Sequence, residues 1–402
     1  MQVNATAAEH PGEPLYLRVA WLCGVVLSLE GYDIAEVGYA IPSLVDAWHV
    51  GPSAFTRVLT AGNIGLLLGS LIAGLLGDRL GRRPVLIGCV TGFGLFSLLS
   101  ALAGSPSQLA GLRFVTGLAL GGGIPLAIAL ASDVAPPEAQ RRLVVLMSVG
   151  VPVGFTVGGL LASQLVRLFG WPAIFVVGGA LPLAMVPVLA RWLPETMSQR
   201  PTARWHGQVA ALFHNGLASS TALLWVISLL NLLCNYLILL WTPVLLHGLG
   251  ISPSWSIFVT TMYALGVIVG GLLSASVVDR VGVEPVSTCL LALGAVCALS
   301  IGVLDLPLWL LSLIICGSGI GIGGCQSGVN SLSGGIYPTA IRSTGAGWAL
   351  GLGRVGTVAG PLLGGGLLML GWHAQGIFMA AALPTFGAML LMATLGRVRG
   401  RW

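Results

Sequence analysis

Three carboxylates, Glu30, Asp33 and Glu36, occupy the first membrane-length apolar stretch of a 402-residue chain in which only 8% of residues are charged. An ionised side chain at the centre of a spanning helix costs about 2.5 to 3.5 kcal/mol on insertion scales. Burial disfavours the charged form of a carboxyl group, so such a residue either pairs with a cation or takes up a proton. Proton coupling is the first chemistry these residues suggest. Counting from Arg18, Glu30 lies about 18 Å into its helix at 1.5 Å per residue, and Arg354 lies equally far from Arg342. An acid and an arginine therefore share one depth. The three acids span an arc of about 120°, with Glu30 and Asp33 about 60° apart. Gly24, Gly31 and Gly38 form a separate stripe about 100° from Glu30. The expectation is a helix that packs by its glycines and presents Glu30 and Asp33 to a cavity.

The elements that carry these residues are spanning helices. A mean hydropathy of +0.95 with 56% hydrophobic residues excludes an ordinary soluble domain, about a quarter of which would be charged. Stretches of about 20 apolar residues, the length that crosses a bilayer, fall near 18 to 45, 54 to 76, 84 to 104, 107 to 132, 142 to 167 and 171 to 193. Six more follow near 217 to 246, 254 to 277, 285 to 304, 307 to 335, 343 to 369 and 372 to 395. The division is an N-terminal segment 1–17, a bundle 18–193, a polar linker 194–216, a bundle 217–395 and a tail 396–402. With the N-terminus cytoplasmic, fourteen of the eighteen arginines fall on that side, which places both termini in the cytoplasm. The first apolar run has no short h-region and cleavage site, so it stays as a helix. The net charge of +5 reflects loop asymmetry and does not indicate a nucleic-acid partner. Seven cysteines without CxxC spacing behave as small hydrophobes. No HExxH or GxSxG is present and the six histidines are dispersed, so no enzyme, metal site or cofactor is expected.

The two bundles repeat. Asp78-Arg79-Leu80-Gly81 recurs as Asp279-Arg280-Val281-Gly282, and Val134-Ala135-Pro136 as Ile336-Tyr337-Pro338. Parallel six-helix repeats flanking a midplane site are a transporter architecture. A carboxylate at a helix end beside guanidiniums can form charge-assisted bonds to neighbouring helices and latch one conformation. In the second copy Val283-Glu284 stands where an arginine pair would be, so a weaker latch is expected there. Asp133 and Arg141 bracket the turn after the fourth helix, as a gating pair or a solvated turn.

Gly74-Leu-Leu-Gly-Asp78-Arg79-Leu-Gly81-Arg82-Arg83 resembles the loop signature of the major facilitator superfamily. Within it the chain is similar to the aromatic acid:proton symporters, over about residues 15 to 395. Glu30-Gly31-Tyr32-Asp33, Leu112-Arg113-Phe114 through Gly122, Leu240-Trp241-Thr242-Pro243, and Tyr337-Pro338 through Arg342 to Arg354 and Pro361 carry that similarity. Glu30 stands where the family usually has aspartate, and Glu36 is outside the motif. The resemblance implies an all-α fold of two pseudo-symmetric six-helix bundles in a bacterial inner membrane. It also implies uptake of a benzoate-like anion with a proton, driven by the proton gradient, with roles for the first-helix acids and for Arg113, Arg342 and Arg354; a monomer is the expected unit, though the sequence does not fix the oligomeric state.

Arginine keeps its charge when desolvated and matches a carboxylate bidentately, so Arg354 is the expected substrate anchor. Arg113 either guides anions inward or pairs with a first-helix acid. Asn231 with Asn235, and Gln326 with Asn330, stand at i, i+4 spacing and can meet ring hydroxyls or bond helix to helix. Tyr32, Tyr236, Trp241 and Trp348 can stack on a ring. In the expected cycle Asp33 or Glu30 takes a proton and frees its arginine for the substrate. Gly74, Asp78, Arg79, Gly81, Arg82, Arg83, Asp133, Arg141, Asp279, Arg280 and Arg342 are the conformational set. An efflux antiporter or a sugar porter would share the loop motif, and a membrane sensor of aromatic acids is the alternative outside transport.

Overall fold

The computed structural model describes residues 15–136, 149–195, 216–304, 307–338 and 341–400, with positions 139, 140, 143, 147, 209 and 211–214 in the connecting segments. Among these residues twelve helices are long and apolar enough to cross a membrane. They are α1 Leu15–Trp48, α2 Thr56–Leu80, α3 Arg82–Ser100, α4 in two pieces Pro106–Leu120 and Gly123–Val134, α5 Gly150–Phe169 and α6 Pro172–Trp192. The second half holds α7 Ala218–Gly248, α8 Pro253–Val281, α9 Val283–Val303, α10 in two pieces Leu308–Ser318 and Gly324–Gly335, α11 Arg342–Met369 and α12 Ala374–Val398. An even count returns the chain to the side on which it starts, here called the terminal side. Arg141 and most of the linker lie outside the described residues.

Local chemistry sets the helix starts and stops. Ser105 caps α4, its hydroxyl accepting from the Gln108 amide at 3.3 Å, with Pro106 at the first helical position. Gly81 and Gly282 end α2 and α8 at φ 97° and 99°, a backbone region that only glycine enters without strain. The repeated D-R-x-G motif is therefore first a pair of equivalent turns.

Close helix packing repeats in the same way. A side chain on Gly65 or Gly117 would collide with the Phe114 or Gly62 carbonyl, which brings α2 and α4 together. A side chain on Gly266 or Gly319 would strike the Cys316 or Tyr263 carbonyl, which does the same for α8 and α10. Small residues give such backbone approach in lipid. The partner helix is interrupted in both halves. In α4 the break is the turn at Gly121–Gly122, and in α10 a π-helical turn Gly319–Gly323 separates Leu308–Ser318 from Gly324–Gly335. On α1, a side chain on Gly31 would strike Val151 and one on Gly38 would crowd Leu240, whereas one on Gly24 would meet nothing within 4 Å, so the glycine stripe is sterically required over only part of its length.

The described ties between the halves lie toward the side opposite the termini. His247 Nε2 lies 3.1 Å from Asp46 Oδ1, and the Ser254 hydroxyl donates to the Ser163 carbonyl at 2.7 Å. Thr261 abuts Gly159 and Thr56 abuts Gly365. On the terminal side the second pieces of α4 and α10 make their main contacts within their own halves. There α10 exposes Ser327, Asn330 and Ser331. A polar row on a spanning helix faces water and not lipid, so the central space opens to the terminal side.

Gly117→Val should overpack the α2–α4 contact at a cost of about 1–3 kcal/mol. The monodisperse fraction after detergent extraction, read by size-exclusion chromatography, should fall severalfold. Gly74→Val, at a site with nothing within 4 Å, should leave that fraction unchanged.

Candidate functional site

The charged core of the first half is built around Arg113. Its Nη1 lies 3.0 Å from Asp33 Oδ1 and 2.6 Å from Glu36 Oε1, with the three side chains at most 3% exposed. Its Nη2 donates to the Ser100 hydroxyl at 2.9 Å, and the Ser97 hydroxyl donates to Glu36 Oε1 at 2.6 Å. The Phe175 ring closes the site 5.3 Å from the guanidinium carbon. α1, α3, α4 and α6 thus meet at one cation. Beside it a cavity of about 40 Å³ is lined by Asp33, Asn63, Arg113, Thr116 and Leu240 among others.

This geometry regroups the acids. Asp33 and Glu36 share the arginine, and Glu30, one turn closer to the terminal side, stands apart. The helical wheel places Glu30 and Glu36 symmetrically about Asp33, and the position of Arg113 on α4 decides between them. Asp33 and Glu36 also face into the first bundle and not into the open central space, because a buried guanidinium holds them. Of the two roles open to Arg113, the structure has it paired with first-helix acids.

Glu30 is buried against the break in α4, where a side chain on Gly123 would overlap its carboxylate. Neither of its oxygens has a hydrogen-bond partner among the described residues. Its charge and that of Arg354 act on one another and on Tyr236, yet no ion pair within 4.0 Å joins Glu30 to Arg354. Arg354 is half-buried. Its neighbours Gly353 and Gly356 pack on α7 at Ser228, Leu229, Leu232 and Leu233, which sets Arg354 level with Asn231.

The amides form a relay from α7 to α10. Asn231 Nδ2 donates to Gln326 Oε1 at 2.7 Å, and Gln326 Nε2 donates to Asn330 Oδ1 at 3.0 Å. Asn231 Oδ1 is buried without a partner among the described residues. Asn235 is buried one turn further along α7. Glu30 and Asn231 are separated by 201 residues, the offset of the internal repeat, so acid and amide occupy equivalent places in the two halves.

Three of the four ring-stacking candidates are committed elsewhere. The Tyr32 hydroxyl donates to the Ile174 carbonyl at 2.8 Å, and the Trp241 indole donates to the Pro361 carbonyl at 3.2 Å, both fully inside helix contacts. Trp348 stacks on Trp225 with centroids 5.7 Å apart. Tyr236 keeps a half-buried ring beside Glu30 and Arg354.

The loop motif also works differently from its expected form. Asp78, Arg79, Asp279 and Arg280 are exposed, and the bonds across helices come from the arginine pair. Arg82 reaches Asp133 at 2.5 Å and the Ala129 carbonyl at 3.1 Å. Arg83 lies 3.5 Å from Glu195 and donates to the Ala190 carbonyl. Asp133 thus pairs with Arg82, and Arg141 is outside the described residues. In the second copy buried Glu284 pairs with Arg399 at 2.5 Å. The Arg83 bridge recurs between α9 and α12 with its charges exchanged, while Val283 at the place of Arg82 can form no ion pair, so the second copy keeps one of the two described bridges. Arg342 Nε donates to the Tyr337 carbonyl at 3.4 Å.

Sequence reasoning missed Ser97 and Ser100. Their only signal is a pair of hydroxyls at i, i+3 on an apolar helix, and serine bonding its own helix makes that pattern commonplace.

The profile of the Major Facilitator Superfamily matches residues 22–258 and 224–401 of this chain. The gallate transporter of Pseudomonas putida is 34% identical, over 94% of this chain and 92% of its own length. The 3-(3-hydroxy-phenyl)propionate transporter of Escherichia coli K12 is also 34% identical, over 94% of each. The 4-hydroxybenzoate transporter PcaK of Pseudomonas aeruginosa is 31% identical, over 96% of this chain and 93% of its own. Among solved structures, a bacterial homolog of the human lysosomal transporter Spinster, inward-facing and occupied, superposes with a TM-score of 0.77 at 16% identity, covering 97% of this chain and 99% of that one. The nucleoside transporter NupG superposes at 0.76 with 15% identity, covering 95% and 99%. At these identities the two structures share the fold.

Removing Arg113 would strand two buried carboxylates, and breaking a buried pair from one side costs about 3–5 kcal/mol. Arg113→Ala should therefore lower the thermal unfolding midpoint of the purified protein well beyond Arg354→Ala, whose guanidinium is half-buried and outside any described ion pair. Tryptophan fluorescence melts would check this.

Proposed function

The chain belongs to the major facilitator superfamily, and within it to the aromatic acid transporters; we propose that it takes up an aromatic carboxylate together with a proton, by alternating exposure of one central site. The observation that carries this reading is a buried Glu30 whose oxygens have no hydrogen-bond partner among the described residues, within electrostatic reach of a half-buried Arg354 that is itself outside any described ion pair.

Arg354 offers a planar fork for the substrate carboxylate. While Glu30 is ionised it competes for that charge. A proton on Glu30 ends the competition, and the anion then binds a site whose sum with the proton is neutral. Crossing a low-dielectric barrier is least costly for a neutral load. Tyr236 lies where an aromatic ring held by Arg354 would pass, and the unpaired Asn231 oxygen is an acceptor for a ring hydroxyl. Turning the amide would offer N–H there, which a hydroxyl also satisfies. After the proton leaves, Glu30 competes again and the acid is released. Asp33, which borders the small cavity beside Arg113, is the second proton site of this reading.

The movement draws on the interrupted helices. Gly121–Gly122 of α4 and the π-turn of α10 are points where the backbone ladder is already broken. The terminal-side bridges Arg82–Asp133 and Arg83–Glu195 hold the first bundle as one body. The arginine distribution supports a cytoplasmic terminal side in the bacterial inner membrane, and opening toward that side is what an inward-open member of the proposed cycle would have. The working unit of this reading is the monomer, and no cofactor beyond the proton gradient enters it.

Proteoliposomes given labelled gallate or 4-hydroxybenzoate should accumulate it only with an inward proton gradient, and a protonophore should abolish accumulation. Arg354→Ala should lower uptake at subsaturating substrate about tenfold or more, the loss of a charge-assisted bond. Glu30→Gln should abolish gradient-driven accumulation while keeping counterflow exchange. Full accumulation by both Glu30→Gln and Asp33→Asn would overturn the reading.

A further inference from the structure

Arg113 serves two carboxylates, and the charge count of that site has a consequence beyond proton symport itself. Asp33, Glu36 and Arg113 are sealed at 3% exposure or less. The groups that face Glu36 are Arg113 from α4, Ser97 from α3, Gly178 from α6, and Asp33 and Tyr32 from its own helix. Asp33 is faced by Arg113, Ser97, Glu36, Tyr32 and, one turn away, Glu30. Arg113 is the sole cation among these groups. Two ionised carboxylates would leave the cluster one charge negative, with Glu36 Oε2 and Asp33 Oδ2 both buried and without hydrogen-bond partners among the described residues. An uncompensated buried charge is neutralised by proton binding before it is tolerated.

We propose that Glu36 completes a one-proton triad with Asp33 and Arg113. One proton shared by the two acids makes the cluster neutral, and Arg113 retains a carboxylate partner both with that proton bound and after it leaves. With only one acid, protonation would strip the guanidinium of its counter-ion. Glu36 therefore makes proton loading compatible with an arginine that is never released, and it assigns the substrate carboxylate to Arg354 by exclusion. The proton sits between Asp33, which borders the 40 Å³ cavity, and Glu36, which is walled by Ser97 and Gly178. The cavity side is the route of exchange.

The inference rests on the proposed proton symport for its transport readout, and a second readout stands without it. In proteoliposomes, Glu36→Gln leaves Asp33 and Arg113 as a closed ion pair that needs no proton. Half-maximal uptake of 4-hydroxybenzoate should then move to lower pH by about one unit or more, the scale of a neighbouring-charge effect. Glu36→Asp, which keeps the carboxyl, should stay within about half a unit of wild type on that scale. In detergent without substrate, a pH-indicator dye should record one fewer proton released per chain by Glu36→Gln than by wild type as pH is raised through the neutral range. Glu36→Met serves as the second neutral variant should the glutamine protein not fold, with the same shift expected. An unmoved pH profile together with wild-type proton release in a folded neutral variant overturns the triad. Failure of wild type to accumulate any aromatic acid overturns the transport reading instead, and the dye measurement then still decides the triad.

Discussion

A guanidinium enclosed in a low-dielectric bundle must be answered by anions and hydrogen-bond acceptors, and Arg113 imposes that requirement on four helices at once. Asp33 and Glu36 come from α1, Ser100 and, through Glu36, Ser97 from α3, and the Phe175 ring from α6. None of these groups can turn away without exposing a charge to a medium that does not solvate it. The register of α1 against α4 follows from this, and with it the position of Glu30 one turn below, against the glycine break where α4 has no side chain to fill the space. The acid left outside the cluster is the one that faces the second half.

That second half is built on the same plan with different chemistry. The glycine contacts of α2 with α4 recur between α8 and α10, and the interrupted helix recurs with them. On this repeated frame the polar groups have diverged. Glu30 has an amide, Asn231, at its equivalent place. The arginine of the α3–α6 bridge has an acid, Glu284, as its counterpart in α9. Asp46 meets its own equivalent, His247, across the junction. A duplicated bundle gives two matching walls, and divergence has given one wall its acids and the other its arginine and amides.

The bias of the structure toward one open side has a similarly local origin. Toward the far side, small residues and hydroxyls let α5 meet α8 and α2 meet α11 through Gly159, Thr261, Gly365 and Thr56, without burying charge between them. On the terminal side the charges are satisfied within each half, by Arg82 with Asp133, Arg83 with Glu195 and Glu284 with Arg399. Ion pairs spent inside a bundle are not available to hold it to the other bundle, so on this side the described charges tie each bundle only to itself.

The twelve spans and the two-bundle fold were legible in the sequence, because hydrophobic run length is a local property. The existence of paired acids was legible for the same reason, since a carboxylate in an apolar run announces its own cost. Which acids pair was not. Glu30 and Glu36 are symmetric about Asp33 on the helix, and the choice rests on where Arg113 projects from a helix some eighty residues away. Ser97, the exchange of charge between the Arg83 and Glu284 bridges, and the commitment of Tyr32 and Trp241 to carbonyls of neighbouring helices were likewise decided only by packing. A helix carries its own periodicity and depth, but the partner of a buried charge is set by the nearest group across a contact of a few ångströms, and that distance exists only in the assembled bundle.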